Sequence, residues 1–219
     1  MARSREGERT GPQISHISTD HGIRAVPPDD PEKHMSATLA PEEDAPNTRY
    51  RPSQRILHWL MAIVILSALV IGLYCSYLVP STPQRQALLD IHKSLGMTAL
   101  FLIAIRLPLR LSLGEPAYRQ PLDGFNHYAA RGAHILLYAL MILMPLAGYT
   151  TSAAGGRDLP WFGLFEWPNL LPLDRPLARA AAEVHKYGAY CLYAVVSLHI
   201  LAALWHHFFR KDEVLRRML

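Results

Sequence analysis

The stretch E-V-H-K-Y-G-A-Y-C-L-Y-A-V-V-S-L-H-I-L-A-A-L-W-H-H-F-F-R, residues 183–210, decides how this chain folds. From Tyr187 to Phe209 it carries no Asp, Glu, Lys or Arg, and about 20 such residues suffice to cross a bilayer as a helix. Inside it stand His185 and His199, fourteen residues apart. At about 100° per residue that spacing returns within about 40° of whole turns, so both imidazoles leave one helix face. At ~1.5 Å rise per residue they are ~21 Å apart along the axis, most of a ~30 Å hydrocarbon core. Ionisable side chains at such depth are costly and mark functional sites. Two in register near opposite membrane faces point to two stacked metal centres, with haem the leading candidate.

Working outward, three more apolar runs emerge. The reading is an all-α integral membrane four-helix bundle, up-and-down, with helices at about 56–74, 88–110, 131–152 and 183–209 in a domain spanning 49–219. The second is weakest, because Asp90, His92 and Lys93 crowd its start; the third contains Pro145, tolerated in membrane helices and expected to kink this one. Residues 1–48 are polar, rich in Pro, Asp, Glu, Ser and Arg, and without an apolar run; they are expected to form a disordered tail and not a secretory signal. The net charge of +4 is modest and the basic residues cluster at span ends, a pattern of membrane topology and not of nucleic-acid binding. Cys75 and Cys191 lie in or beside apolar runs and read as buried thiols; no C-x-x-C-H occurs, so any haem is b-type.

Basic residues set the direction. Arg49, Arg51, Arg55, Arg106, Arg110, Arg119, Arg131, Arg210, Lys211, Arg216 and Arg217 fall on one side, eleven against six (Arg85, Lys93, Arg157, Arg175, Arg179, Lys186) on the other. The richer side is cytoplasmic, and so are both termini. The loop from about 152 to 183, with Trp161 and Trp167, is expected to fold back over the outer face, its tryptophans suited to an interfacial belt.

Topology then pairs the histidines. His92 and His185 lie near the outer side; His58 lies near the inner side and pairs with His199 or, by depth alone, with His206. Bis-imidazole ligation closes the iron's coordination sphere and favours electron transfer over oxygen binding. His134 reads as a packing or supporting residue, or as a hydrogen-bond donor to a haem propionate. Arg55, Arg106, Arg110 and Arg210 either face inner propionates or anchor helix ends at lipid phosphates. Lys93 and Lys186, each directly after a proposed outer ligand, read as partners of outer propionates, as attractors of small anions, or as snorkelling side chains.

The motifs R-I-L-H-W-L-M-A at 55–62, H-K-S-L-G-M at 92–97, R-L-P-L-R at 106–110, A-H-I-L-L-Y at 133–138, P-L-A-G at 145–148, E-V-H at 183–185 and W-H-H-F-F-R-K-D at 205–212 together resemble the bacterial cytochrome b561 proteins, four-helix di-haem membrane cytochromes. The resemblance covers about Arg49 to Leu219. It implies His58, His92, His185 and His199 as axial ligands of two haem b groups, and so favours His199 over His206. It implies a multi-pass protein of the bacterial inner membrane with quinone as its membrane-side redox partner. Some family members are superoxide:ubiquinone oxidoreductases, which makes ubiquinone a substrate and periplasmic superoxide an electron source. No catalytic residue is assigned. Two alternatives use the same histidines: a b-type cytochrome subunit anchoring a hydrogenase- or formate-dehydrogenase-like complex, and a proton or metal transporter.

Overall fold

The computed structural model describes residues 49–116 and 124–219, Phe125 by its backbone alone. The expected disordered tail at 1–48 lies outside the described residues. Four long helices make the bundle: α1 Pro52–Tyr77, α2 Pro83–Leu113, α3 Gly124–Ala153 and α4 Arg175–Trp205. All four are long and apolar enough to cross a membrane.

Each helix begins before the span read from hydropathy, because apolar residues mark the hydrocarbon and capping residues mark the backbone. Thr82 accepts a hydrogen bond from the Arg85 N–H at 3.4 Å ahead of Pro83, and Asp174 accepts from the Leu177 N–H at 2.9 Å ahead of Pro176. Both are N-caps followed by a proline in the first turn, where its missing N–H costs nothing. Gly114, at φ +66°, closes α2 in a conformation that disfavours residues with a Cβ. α3 runs unbroken through Pro145. α4 passes into a π-helical turn, His206–Arg210, which ends at Lys211.

Helices adjacent in sequence, α1–α2, α2–α3 and α3–α4, approach most closely, and α4 meets α1 and α2 through side chains. One core cluster joins Met61 and Val64 of α1 to Ala99, Leu102 and Ile103 of α2, with Tyr138 and Met141 of α3 against it. A second joins Leu140 and Met144 of α3 to Leu192 of α4, with Ile65 and Leu69 of α1 alongside. The Tyr193 hydroxyl donates to the Leu69 carbonyl at 2.7 Å and ties α4 to α1. Both cysteines are free thiols, Cys75 buried and Cys191 exposed on α4.

The α3–α4 loop does fold onto the bundle, but as an ordered unit that hydropathy did not anticipate. A short antiparallel hairpin pairs β1 (Pro160–Trp161) with β2 (Phe165–Glu166). Ser94 of α2, 1% exposed, holds it: its hydroxyl accepts from the Phe162 N–H at 2.9 Å and lies 2.7 Å from the Asp90 carbonyl and 3.0 Å from that of Pro160. Trp161 donates to the Thr98 hydroxyl at 3.1 Å, so it takes part in docking the loop.

At the other end the C-terminal residues return over the bundle. Trp59 donates to the Met218 carbonyl at 2.9 Å and the Tyr50 N–H to the Arg217 carbonyl at 3.1 Å. The Tyr50 ring is flanked by the guanidinium groups of Arg110 and Arg217, each 5.3 Å away. Gln54 donates to the Gly114 carbonyl at 3.3 Å and joins the start of α1 to the end of α2.

Ser94→Ala should release the hairpin, since it leaves the Phe162 N–H without its acceptor. The expected cost is about 1–3 kcal/mol, read as a lower thermal midpoint in detergent together with faster protease cleavage between residues 157 and 173.

Candidate haem-binding layers

The imidazoles gather at two depths. At the outer depth the rings of His92 (α2) and His185 (α4) lie with centroids 5.9 Å apart and planes at 82°. At the inner depth the rings of His58 (α1) and His199 (α4) are 6.4 Å apart at 64°. A metal held between two imidazoles at about 2 Å from each nitrogen, with each centroid about 1.1 Å further on, separates the centroids by roughly 6 Å. Both pairs therefore have the spacing of axial ligands on opposite sides of one metal.

The outer pair also has the hydrogen bonds that such ligation needs. His92 Nδ1 lies 2.9 Å from the Ala68 carbonyl and His185 Nδ1 lies 3.0 Å from the Met144 carbonyl. A carbonyl only accepts, so each Nδ1 carries the ring proton and each Nε2 keeps its lone pair for a metal. This is the usual outer support of a metal-bound histidine: it fixes the tautomer and raises ligand basicity.

The inner depth is built differently. An Arg106 Nη2–H group donates to His58 Nδ1 at 2.9 Å, and the same guanidinium reaches the Tyr138 hydroxyl at 3.4 Å. Guanidinium has no acceptor, so the neutral His58 ring carries its proton on Nε2, and metal binding there must displace it. The ring of His134 (α3) stands 5.9 Å from that of His199. Sequence reading gave His134 no partner; the structure places it beside an expected ligand. His134 is exposed in the bare protein, whereas His58, His92, His185 and His199 are half-buried.

The remaining candidates separate cleanly. His206, the rival for the inner site, turns toward the C-terminal return, with Nδ1 2.5 Å from the Asp212 carboxylate. Lys93 pairs with Asp90 at 3.0 Å and also donates to the Asp158 carbonyl at 3.0 Å. Lys186 pairs with Glu183 at 3.4 Å. Their acidic neighbours thus balance these two charges locally, which argues against the anion-attracting role read from sequence. Arg110 pairs with Glu115 and with the Gly114 carbonyl, whereas no carboxylate among the described residues pairs with Arg106.

Four membrane-crossing helices with facing imidazole pairs at two depths have the form of a membrane b-type cytochrome. Comparison with known proteins agrees. Residues 49–219 match the model of the prokaryotic cytochrome b561 family, and the chain belongs to that family. It is 30% identical to cytochrome b561 homolog 2 of Escherichia coli (strain K12) over 185 residues, which is 84% of this chain and 95% of that protein. It is 23% identical to cytochrome b561 homolog 1 of the same organism over 171 residues, 78% of this chain and 97% of that protein. A Yersinia pestis protein named probable superoxide oxidase CybB is 28% identical over 171 residues, covering 78% and 96%. The chain is thus a multi-pass bacterial membrane protein of a b-type cytochrome family, which sets the transporter alternative aside.

Proposed function

We propose that this protein carries electrons between two haem b groups across the bacterial inner membrane, to or from the quinone pool. The observation that carries the reading is the pair of imidazole–imidazole spacings, 5.9 Å for His92/His185 and 6.4 Å for His58/His199. They share α4 and lie ~21 Å apart along it. His92 and His185 would hold the outer haem, His58 and His199 the inner one. Bound haem iron supplies one-electron chemistry, and six-coordinate ligation directs it to electron transfer.

The chain's own residues do the rest. The Ala68 and Met144 carbonyls hold the outer rings in the tautomer that presents Nε2. Arg106 supplies positive charge at the inner depth, suited to a carboxylate such as a propionate. Between the two depths the side chains of Ile65, Ala99, Met141 and Leu192 form apolar packing, which keeps the path dry and the local dielectric low. Quinone, an apolar bilayer-soluble oxidant, takes up two electrons and two protons on full reduction.

The likeness to the Yersinia pestis protein favours superoxide as one outer electron source, each anion giving up one electron and leaving as oxygen. Lys93 and Lys186 contribute little local attraction to it, being paired with Asp90 and Glu183. An anchor for a hydrogenase- or formate-dehydrogenase-like enzyme would use the same ligands; stable co-purification with such a subunit supports that alternative, and superoxide-driven quinone reduction by the isolated chain argues for independent function.

The decisive measurement is a dithionite-reduced minus oxidised spectrum with haem quantitation. Two b-type haems per chain are expected; a colourless chain overturns the reading. His185→Ala should remove the outer haem and His199→Ala the inner one, each lowering haem content to about one per chain, whereas His134→Ala should keep both. Retention of full haem by His185→Ala overturns the outer assignment. The orientation is checked separately: a protease site appended after Leu219 should resist protease added to intact spheroplasts and be cut in inverted vesicles.

A further inference from the structure

The fourteen-residue spacing of His185 and His199 recurs on the other three helices, and only the structure shows why. α1 carries His58 and Gly72, α2 carries His92 and Arg106, and α3 carries His134 and Gly148. Each helix thus contributes one residue to each depth. At the inner depth these are His58, Arg106, His134 and His199; at the outer depth they are two histidines and two glycines. The glycines touch the histidines. A Cβ at Gly72 would stand 3.0 Å from His92 Cε1 and 3.3 Å from its Nδ1, and one at Gly148 would stand 3.2 Å from His185 Cε1 and 3.3 Å from its Nδ1.

Each glycine also lies one turn beyond the carbonyl that its histidine uses: Ala68 and Gly72 are four apart on α1, Met144 and Gly148 four apart on α3. Residues four apart share a helix face, so a side chain there would stand on the path by which Nδ1–H reaches the carbonyl. The geometry points to Gly72 and Gly148 as positioning residues for the outer pair, an inference that rests on the di-haem reading above. Their missing side chains let α1 and α3 act as hydrogen-bond acceptors for ligands borne on α2 and α4. A methyl group at either position requires the ring to give by a few tenths of an ångström, which strains its bond to the carbonyl, lowers ligand basicity and so weakens the ferric state relative to the ferrous one.

The test uses Gly72→Ala and Gly148→Ala in the full chain, with Gly96→Ala as control, because a Cβ at Gly96 meets nothing within 4 Å. Potentiometric titration and the low-spin ferric electron paramagnetic resonance spectrum are the readouts. Each test variant should raise the potential of one haem, the one missing from His185→Ala, changing its reduced-to-oxidised ratio at fixed potential by about threefold or more. The other haem and the Gly96→Ala control should match the unmodified chain. Loss of the outer haem alone also supports the inference. Unchanged potentials and spectra in both variants, equal shifts at both haems, the same shift in Gly96→Ala, or loss of both haems in both variants overturns it. An unmodified chain with fewer than two haems defeats the underlying reading instead, and is recognised before any variant is made.

Discussion

An imidazole inside the hydrocarbon region is costly unless another polar group answers it, and this bundle arranges such answers at two depths. His92 and His185 are met by carbonyls of the helices between which they project; His58 is met by Arg106. Two layers at fixed heights impose one rule on every helix that crosses both: its layer residues must be fourteen apart, whichever way the helix runs. α1 and α3 run outward and α2 and α4 inward in the reading from basic residues, yet all four obey the spacing. Halfway between, seven residues from each layer, stand Ile65, Ala99, Met141 and Leu192, all within the apolar packing. Seven residues are nearly two helical turns with only about 20° of drift, so polar, apolar and polar layers stack on one side of each helix.

The sequence was most legible where lipid enforces composition. A helix crossing hydrocarbon must be apolar for its whole width, so four spans and their alternation follow from the residue string. Once direction is fixed, His92 must face His185, and the inner choice narrows to His199 or His206. Other features left weaker traces. The acids that balance Lys93 and Lys186 stand three residues before each lysine, a helical ion-pair spacing that was readable in Asp90 and Glu183. Gly72 and Gly148 were silent because a glycine's contribution here is the absence of atoms; only the repeat of the His185–His199 interval on α1 and α3 could have found them. His134 was set aside because ligands were counted in pairs, whereas the inner layer holds three imidazoles and a guanidinium. The hairpin at 160–166 depends on Ser94 and Thr98, polar residues on a helix whose hydropathy hides their use.

The two layers are chemically unequal. At the outer one the contacts to the rings are neutral carbonyls and glycine backbone, and the nearby lysines sit in ion pairs. At the inner one a guanidinium without a carboxylate partner among the described residues touches His58, and a third imidazole flanks His199. Hydrogen bonding to ligands, local charge and burial are the levers by which proteins set haem potentials. On the di-haem reading proposed above, the two sites would therefore differ in surroundings, set by which residue each helix contributes at each depth.

At both ends of the bundle the chain folds back onto a helix. The hairpin docks on α2 at the outer end through Ser94, Thr98 and Lys93, and the returning C-terminus docks on α1 at the inner end through Trp59 and Tyr50. These contacts bear on chemistry and not only on stability. Water entering either layer would raise the local dielectric and weaken the electrostatic influence of Arg106 on its neighbours. It would also compete for the Ala68 and Met144 carbonyls that fix the outer tautomers. The hairpin between α3 and α4 thus docks on α2 two and six residues beyond His92, beside the outer pair whose carbonyl bonds leave each Nε2 lone pair free.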